Sequence, residues 1–539
     1  MSSSIRNRSR SQARSVADKA ALDDKTVVHS SRIVDVLDGE SVRGLEYGQT
    51  SKGEVKEKTA FSGLSAFGLS FAVLNTWCVL VVSLGSGLAT GGPSSLIWGF
   101  VYAILCNLAL TLSLGEIFAV YPTAGGQYHW SSVFTSTRWR PLVSWLTATT
   151  NMVGLWSGVA TQAYLASNLY QSIGVVINPD FAPSTSMAYG IYLAVVVIGW
   201  VTCLAFPPRL NRWLDTGMMI LSVLGCLTLF IVIFALSKNK ASASFVFTAT
   251  SNSSGWDNMV IPWLLGLLQS AFSFIGIDIV FHISEEMPRP EVEGPKVLNM
   301  TILVGGISGL IILLSMLFAI DDLDAMLSTV YGLPFAQICM NATGSKAFTV
   351  IYMLLVAFLF TYGSRGCELT AARLAMSIGR DKGLPFSRQF QTIVNGQPIL
   401  GLTVAGVAAA LFGLVQFGST NAFSSLLGTA VVLLQSSYIV PVMLMLTGGR
   451  KFLNNHHPKR LYNLGSIFGI VCNTAQPVTA GNMNYVTAFV GGIYIALGLL
   501  WTLYMRSRFA GPKEEEILAI VAKARDRSSI AYELDGVST

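Results

Sequence analysis

Long apolar runs alternate with short polar ones along most of the chain. LIWGFVYAILCNLALTLSL (96–114) and TGMMILSVLGCLTLFIVIF (216–234) hold no charged residue, and crossing a bilayer core takes about 20 such residues in a helix. The pattern predicts spans near 61–90, 93–120, 141–170, 186–206, 211–236, 258–284, 298–320, 346–376, 399–417, 421–447 and 484–505, with a doubtful one near 461–480. Residues 1–60 are polar, Ser-rich and mixed in charge. Such a stretch has little to bury, so it is expected to be a disordered cytoplasmic tail with no cleavable leader. The expected organisation is that tail, a transmembrane domain over 61–505, and a charged cytoplasmic tail over 506–539. Within the domain, one repeat covers about 61–236, a second about 258–447, and the last spans about 461–505.

Two of these helices carry polar residues in the middle. The sixth, within QSAFSFIGIDIVFHISEEMPRP (269–290), reads Phe274-Ile275-Gly276-Ile277-Asp278 at mid-depth. The first has Asn75-Thr76 near its centre, followed by Trp77. Spans one and six would head the two halves of a five-plus-five inverted repeat. Interrupted segments at matching places in two halves mark a solute site at the bilayer midplane. Unwound backbone at that depth is tolerated only where it is buried in protein or lines a cavity. The plainer alternatives are a packing glycine at Gly276 and an interhelical hydrogen bond at Asn75.

Composition fits the membrane picture: 52% of residues are hydrophobic and 12% charged, against about 25% charged in soluble domains. The net charge of +6 does not point to nucleic acid, because the basic residues sit in loops between apolar spans. After the even-numbered spans come Arg138, Arg140, Arg209, Arg212, Arg289, Lys296, Arg373, Arg380, Lys382, Arg388, Arg450, Lys451, Lys459 and Arg460; the opposite loops hold Lys238, Lys240 and Lys346. Lys and Arg collect on the cytoplasmic side, so the N-terminus is expected there. Two sequons, at Asn252 and Asn341, fall in loops expected outside. One segment fits poorly. LYNLGSIFGIVCNTAQPVTAGNMNYV (461–486) is apolar only at its start and then carries Asn473, Gln476, Pro477 and Asn482. Were it not to cross, Arg506, Arg508 and Lys513 would end on the wrong face.

Ionisable residues at membrane depth are costly and signal function by default. Asp278 could face the cavity as a counter-charge for an ammonium, cap the broken helix ends, or take up a proton. Arg365 and Glu368, three apart on span eight, are expected to form a structural ion pair. Glu116, Glu285 and Glu286 are expected near Arg373 and Arg380, either as gate-forming salt bridges or as solvated helix ends. His282, four residues from Asp278, is placed to hydrogen-bond it along the helix. Trp77, Trp156, Phe272, Phe274 and Tyr362 lie in spans one, three, six and eight, and an ammonium gains about 0.5–2 kcal/mol over an aromatic face. No metal spacing and no disulfide framework appear among the seven cysteines; small packing residues explain them. Cys339 alone sits in a polar stretch.

SLGEIFAVYPTAGGQYHW (113–130), GIDIVFHISEEMPRP (276–290), ARLAMSIGRDKGLPFS (372–387) and PVTAGNMNY (477–485) together resemble motifs of the amino acid–polyamine–organocation superfamily. More narrowly they resemble its fungal amino acid/choline transporter group, which includes choline and GABA permeases. The resemblance implies an all-α polytopic protein with a LeuT-like five-plus-five inverted repeat, broken helices one and six, and nominally twelve spans with a shortened span eleven. It implies alternating access around a site between spans one, three, six, eight and ten, with Asn75, Thr76, Trp77, Phe274, Gly276 and Asp278 at or beside it. PTAGGQYHW would move with the cytoplasmic gate. Wider relatives have a Gly-rich break in span one, where this chain reads LNTWC; that leaves room for an amine rather than an amino acid.

The expected function is secondary transport into the cell of a small amine-bearing solute such as choline, GABA or an amino acid. Protons are the expected coupling ion, on family analogy. The expected surroundings are membrane lipid, most readily the plasma membrane, with no cofactor, metal or nucleic-acid partner. Two alternatives are a non-transporting nutrient receptor on the same fold and a non-functional truncated permease. An enzyme is disfavoured, since the chain has no G-x-S-x-G, H-E-x-x-H or phosphate loop.

Overall fold

Every long predicted span that falls in the described residues is a helix in the computed structural model, and the two predicted interruptions are real. The structure describes residues 62–238, 240–252, 257–418, 420–456, 462–465, 485–512 and 517. They belong to one compact unit, Thr59–Ile517. Both predicted tails and the doubtful span near 461–480 lie almost wholly outside the described residues.

Span one comprises Gly63–Leu74 and Thr76–Thr90; spans two to five are Gly92–Val120, Arg140–Ile177, Thr185–Ala205 and Pro208–Leu236. Span six comprises Val260–Phe272 and the short Ile279–His282. Spans seven to ten are Pro290–Phe318, Lys346–Arg380, Ile399–Gly413 and Thr420–Leu444, and the last helix is Tyr485–Leu500. A short helix, Gln127–Phe134, joins spans two and three. Span seven starts eight residues before its predicted boundary. Pro290 opens it, and Glu291 and Glu293 sit in its first turn, where missing N–H bonds and the helix dipole favour both residue types.

Burial sorts the spans into a core and a lipid-facing shell. The apolar window of span one is 89% buried, while those of spans four and five are each 28% buried. Span three is among the most enclosed helices, and packs along spans eight and ten. It is not among the eight helices that length and hydropathy alone would send across a membrane. Its buried residues include Thr147, Thr149, Thr150, Asn151, Ser157, Thr161 and Gln162, polar groups that a helix can carry at this depth only when other helices cover them. Spans two and seven clasp span one from the other side. Span seven presents Gly305 and Gly309 there, and a methyl on Gly305 would come within 2.7 Å of Thr76 Oγ1. Small residues let the backbones approach this closely.

The last helix resolves where the chain returns. Trp145, near the start of span three, packs in one buried cluster with Leu497, Trp501, Met505 and Phe509, its ring 5.4 Å from that of Trp501. The last helix therefore ends where span three begins. Arg506 and Arg508 join Arg138, Arg140, Arg380 and Arg450 at what is here termed the basic end of the bundle. Spans eight and nine are joined by a two-residue hairpin pairing Ile393 with Pro398 and Val394 with Gln397, closed by Asn395-Gly396, both at positive φ, as such a turn requires.

Candidate functional site

The two interruptions meet at the centre of the bundle. Span one breaks at a single residue: Asn75 adopts the left-handed conformation (φ 35°, ψ 50°), and the helix resumes at Thr76. Asparagine is among the few side-chain-bearing residues that reach this region at small cost. Its conformation is held from outside, because Ser222 Oγ on span five donates to Asn75 Oδ1 at 2.9 Å. Span six unwinds from Ser273 to Asp278, with Gly276 at φ 87°, where a Cβ would be strained. Thr76 Oγ1 donates to the Ser273 carbonyl at 3.1 Å, so one break ties directly to the other.

Between them lies a cavity of about 20 Å³, lined chiefly by Val73 and Leu74 of span one, Gly158 and Gln162 of span three, Gly276 of span six and Cys367 of span eight. That is space for a water or two, not for an organic solute; the site is in a closed arrangement. Gln162 Nε2 reaches across to donate to the Val73 carbonyl at 2.8 Å, one of the acceptors that a helix end leaves without an intrahelical partner. Its Oε1 has no partner among the described residues.

Of the residues expected at the site, Phe272 and Gly276 border this cavity. Phe274 stacks on Phe100 of span two, ring centroids 5.3 Å apart. Trp77 is wholly buried and donates its indole N–H to Ser222 Oγ at 2.9 Å, so its ring faces span five and not the cavity. Tyr362 donates to Asp215 Oδ1. Trp156 on span three is partly exposed and borders no part of the cavity. Thr161 and Gln162, which do border it, were missed. The available signal was the Gly154-x-x-x-Gly158 pair one turn before them on the same helix.

Asp278 belongs to a sealed polar knot. It is fully buried. Tyr438 of span ten donates to its Oδ1 at 2.7 Å, and Gln127 of the joining helix donates to its Oδ2 at 3.1 Å. His282 Nδ1 donates to the Ala124 carbonyl at 2.8 Å, which leaves Nε2 3.3 Å from Asp278 Oδ2. Asn151 Nδ2 of span three lies 3.5 Å from the same ring nitrogen. The knot ties span six to span ten and to the segment after span two.

Further toward the basic end the seal continues. Arg373 pairs with Glu286 at 2.8 Å and Arg380 with Glu285 at 2.8 Å. Tyr128 donates to Asp381 Oδ2 at 2.9 Å, and His129 Nε2 lies 3.0 Å from the same oxygen. Burial pushes the Tyr128 phenol well above its usual range, which keeps it a donor. Glu116 was expected near Arg373 and Arg380; instead it meets Arg450 at 2.7 Å. Span two ends beside the segment following span ten, and that nearer guanidinium takes the carboxylate.

The expected Arg365–Glu368 ion pair is not formed. Arg365 leans toward span five, donating to Asn211 Oδ1 at 2.5 Å and to the Tyr362 hydroxyl at 3.4 Å. Glu368 points the other way, toward span four. Spacing along one helix permits a pair, but the acceptors offered by a neighbouring helix won. Cys339, read as a loop residue, is buried on the helix Pro334–Thr343.

The geometry is that of broken helices around a central cavity shut at one end. Comparisons with known proteins agree. The chain is 28% identical over 483 residues to a choline transporter of Saccharomyces cerevisiae, covering 86% of this chain and 84% of that one. It is 30% identical to a swainsonine transporter of Arthroderma benhamiae, covering 86% and 94%. It is 26% identical to a GABA-specific permease of Saccharomyces cerevisiae, covering 84% and 83%. Residues 61–506 match the amino acid permease family. With eight helices among the described residues apolar enough to cross a membrane and relatives that are permeases and transporters, the chain is an integral membrane transporter that belongs to the amino acid permease family.

Proposed function

We propose that this permease imports a small amine-bearing solute, with choline, GABA and amino acids as the candidates, by alternating access about the paired breaks in spans one and six, in a LeuT-like inverted repeat. The observation that carries this reading is the meeting of the two breaks: Thr76 bonds the Ser273 carbonyl beside a cavity too small, as it stands, for an organic solute. A carrier needs such an occludable midplane site, and unwound backbone supplies the polar groups to hold a solute there. The cavity lining named above carries no charge, so the ammonium of the solute would be held by carbonyl oxygens freed at the breaks and by Gln162. This differs from a salt bridge to Asp278, whose oxygens are already engaged.

The knot around Asp278 and the Glu286–Arg373 and Glu285–Arg380 pairs act as the cytoplasmic gate, closed here. The cytoplasmic assignment follows the crowding of Arg and Lys at that end; it sets the N-terminus inside and fits a plasma-membrane importer. Protons serve as the coupling ion, on analogy with fungal permeases of this kind. The test is uptake of radiolabelled choline, GABA and amino acids, each competed against the others, in cells expressing the full chain. Saturable uptake of one class, lost in Gln162→Ala at normal surface expression, is expected. Uptake of none of them at verified surface expression removes the amine-importer reading.

A further inference from the structure

Glu368 of span eight has no part in the gate or the cavity, yet it is fully buried. Neither of its carboxyl oxygens has a hydrogen-bond partner among the described residues. An ionised carboxylate in that condition is severely destabilised, and in practice such a group takes a proton instead. The pocket is shaped for it. A Cβ on Gly199 of span four would lie 3.0 Å from both oxygens, so a glycine at that turn is what makes room for the carboxyl.

The charges around it do not balance. Spans one, four and nine contain no Asp, Glu, Lys or Arg, and span three has only Arg140 at its start. The titratable and charged groups facing Glu368 are Arg365 and Cys367 on its own helix, Cys203 and Tyr192 on span four, and, through Arg365, Asp215 on span five. Arg373 is taken by Glu286. One guanidinium therefore serves two acids. In this structure it stands on the Asp215 side, linked through the Tyr362 hydroxyl, and Glu368 is left without it.

We propose that Glu368 is the proton-carrying carboxyl of this permease, neutral against Gly199 while Arg365 is held by Asn211 and Tyr362, and ionised when Arg365 swings back to it. This rests on the transporter reading above and names its coupling site. On release, the Glu368 O–H bond breaks, its electron pair stays on the carboxylate, and the proton passes to solvent water at the basic end. The new anion lies three residues along the helix from Arg365, within reach of its guanidinium. Drawing that group over breaks its bond to Asn211, one of the polar ties between spans eight and five, and takes the guanidinium away from the Tyr362 hydroxyl that bonds Asp215. Span five bears on the first half of span one, where a Cβ on Gly68 would lie 2.6 Å from the Asp215 carbonyl oxygen. Loss of the proton thus loosens the packing that holds the half-helix Gly63–Leu74 in place.

Two measurements on the full chain in lipid test this. In infrared absorption at neutral pH, subtracting Glu368→Gln from the unmodified protein should leave the carbonyl band of a protonated carboxyl; a carboxylate band in its place overturns the proposal. In proteoliposomes with radiolabelled choline, Glu368→Gln, which keeps the shape of the neutral acid, should retain counterflow exchange while accumulation driven by a proton gradient falls on the order of tenfold or more. Unchanged gradient-driven accumulation, or loss of exchange and accumulation together with a correctly folded protein, overturns it. If the unmodified protein moves no choline by either route, the failure lies with choline as solute; the assay is then repeated with GABA, and the infrared result already decides whether Glu368 holds a proton.

Discussion

Asp278 and Glu368 are both carboxyls buried at membrane depth, and their surroundings are opposite. Asp278 is met by Tyr438, Gln127 and His282 from three separate segments. Glu368 has a glycine on one side and an arginine that has turned elsewhere. A carboxylate with several donors is stable as an anion and rigidifies what it joins. One with none is stable only as the neutral acid and is poised to change when its surroundings change. The first behaves as a fastener and the second as a carrier. Burial alone, which the two share, separates neither role; the count of donors does.

The largest effect should come from removing the fastener. Asp278→Ala strands the Tyr438 hydroxyl and the Gln127 amide in the interior, and losing one partner of a buried polar set costs about 3–5 kcal/mol. Folded yield and melting temperature in detergent should collapse, whereas Asp278→Asn should insert normally and lose uptake. Stability of Asp278→Ala equal to the parent would dissolve the contrast with Glu368. Next in size is the packing beneath the breaks: Gly305→Val drives a side chain into Thr76 and Leu74, overpacking worth about 1–3 kcal/mol, seen as a lower melting temperature and weaker uptake. Glu368→Gln should change stability by less than about 1 kcal/mol, since the neutral acid gives up no hydrogen bond; a large loss in the same melting assay would mean that Glu368 is bound to something after all. The smallest effect belongs to Arg380→Gln. Its partly exposed pair with Glu285 is worth no more than about 1 kcal/mol, but the gate should open more often, so maleimide labelling of Cys367 from the basic end should speed up while the melting temperature barely moves.

Some of this was legible in the residues and some was not. The breaks were, because Asn75-Thr76 and Gly276 interrupt apolar runs that nothing else explains. The path into the last helix was not, since residues 461–486 read as too short and too polar for an ordinary span; the packing of Trp501 on Trp145 is what places the end of that helix. Pairing was the weakest inference. Arg365 and Glu368 share a helical face, Glu116 was expected at the inner interface beside Arg373 and Arg380, and Trp77 adjoins a break; yet Arg365, Glu116 and Trp77 found their partners far away in the chain, in Asn211, Arg450 and Ser222.

Hydropathy and the placement of Asn, Gly, Arg and Lys were enough to determine a polytopic helical transporter, its two interrupted helices and its basic end, because lipid forces every backbone group into a helix unless protein covers the exception. Which carboxyl is fastened and which is left bare was decided only when spans four, five, eight and ten came together. A side chain inside a bundle chooses among acceptors within a few ångströms, and those acceptors belong to neighbours that distance along the chain does not reveal.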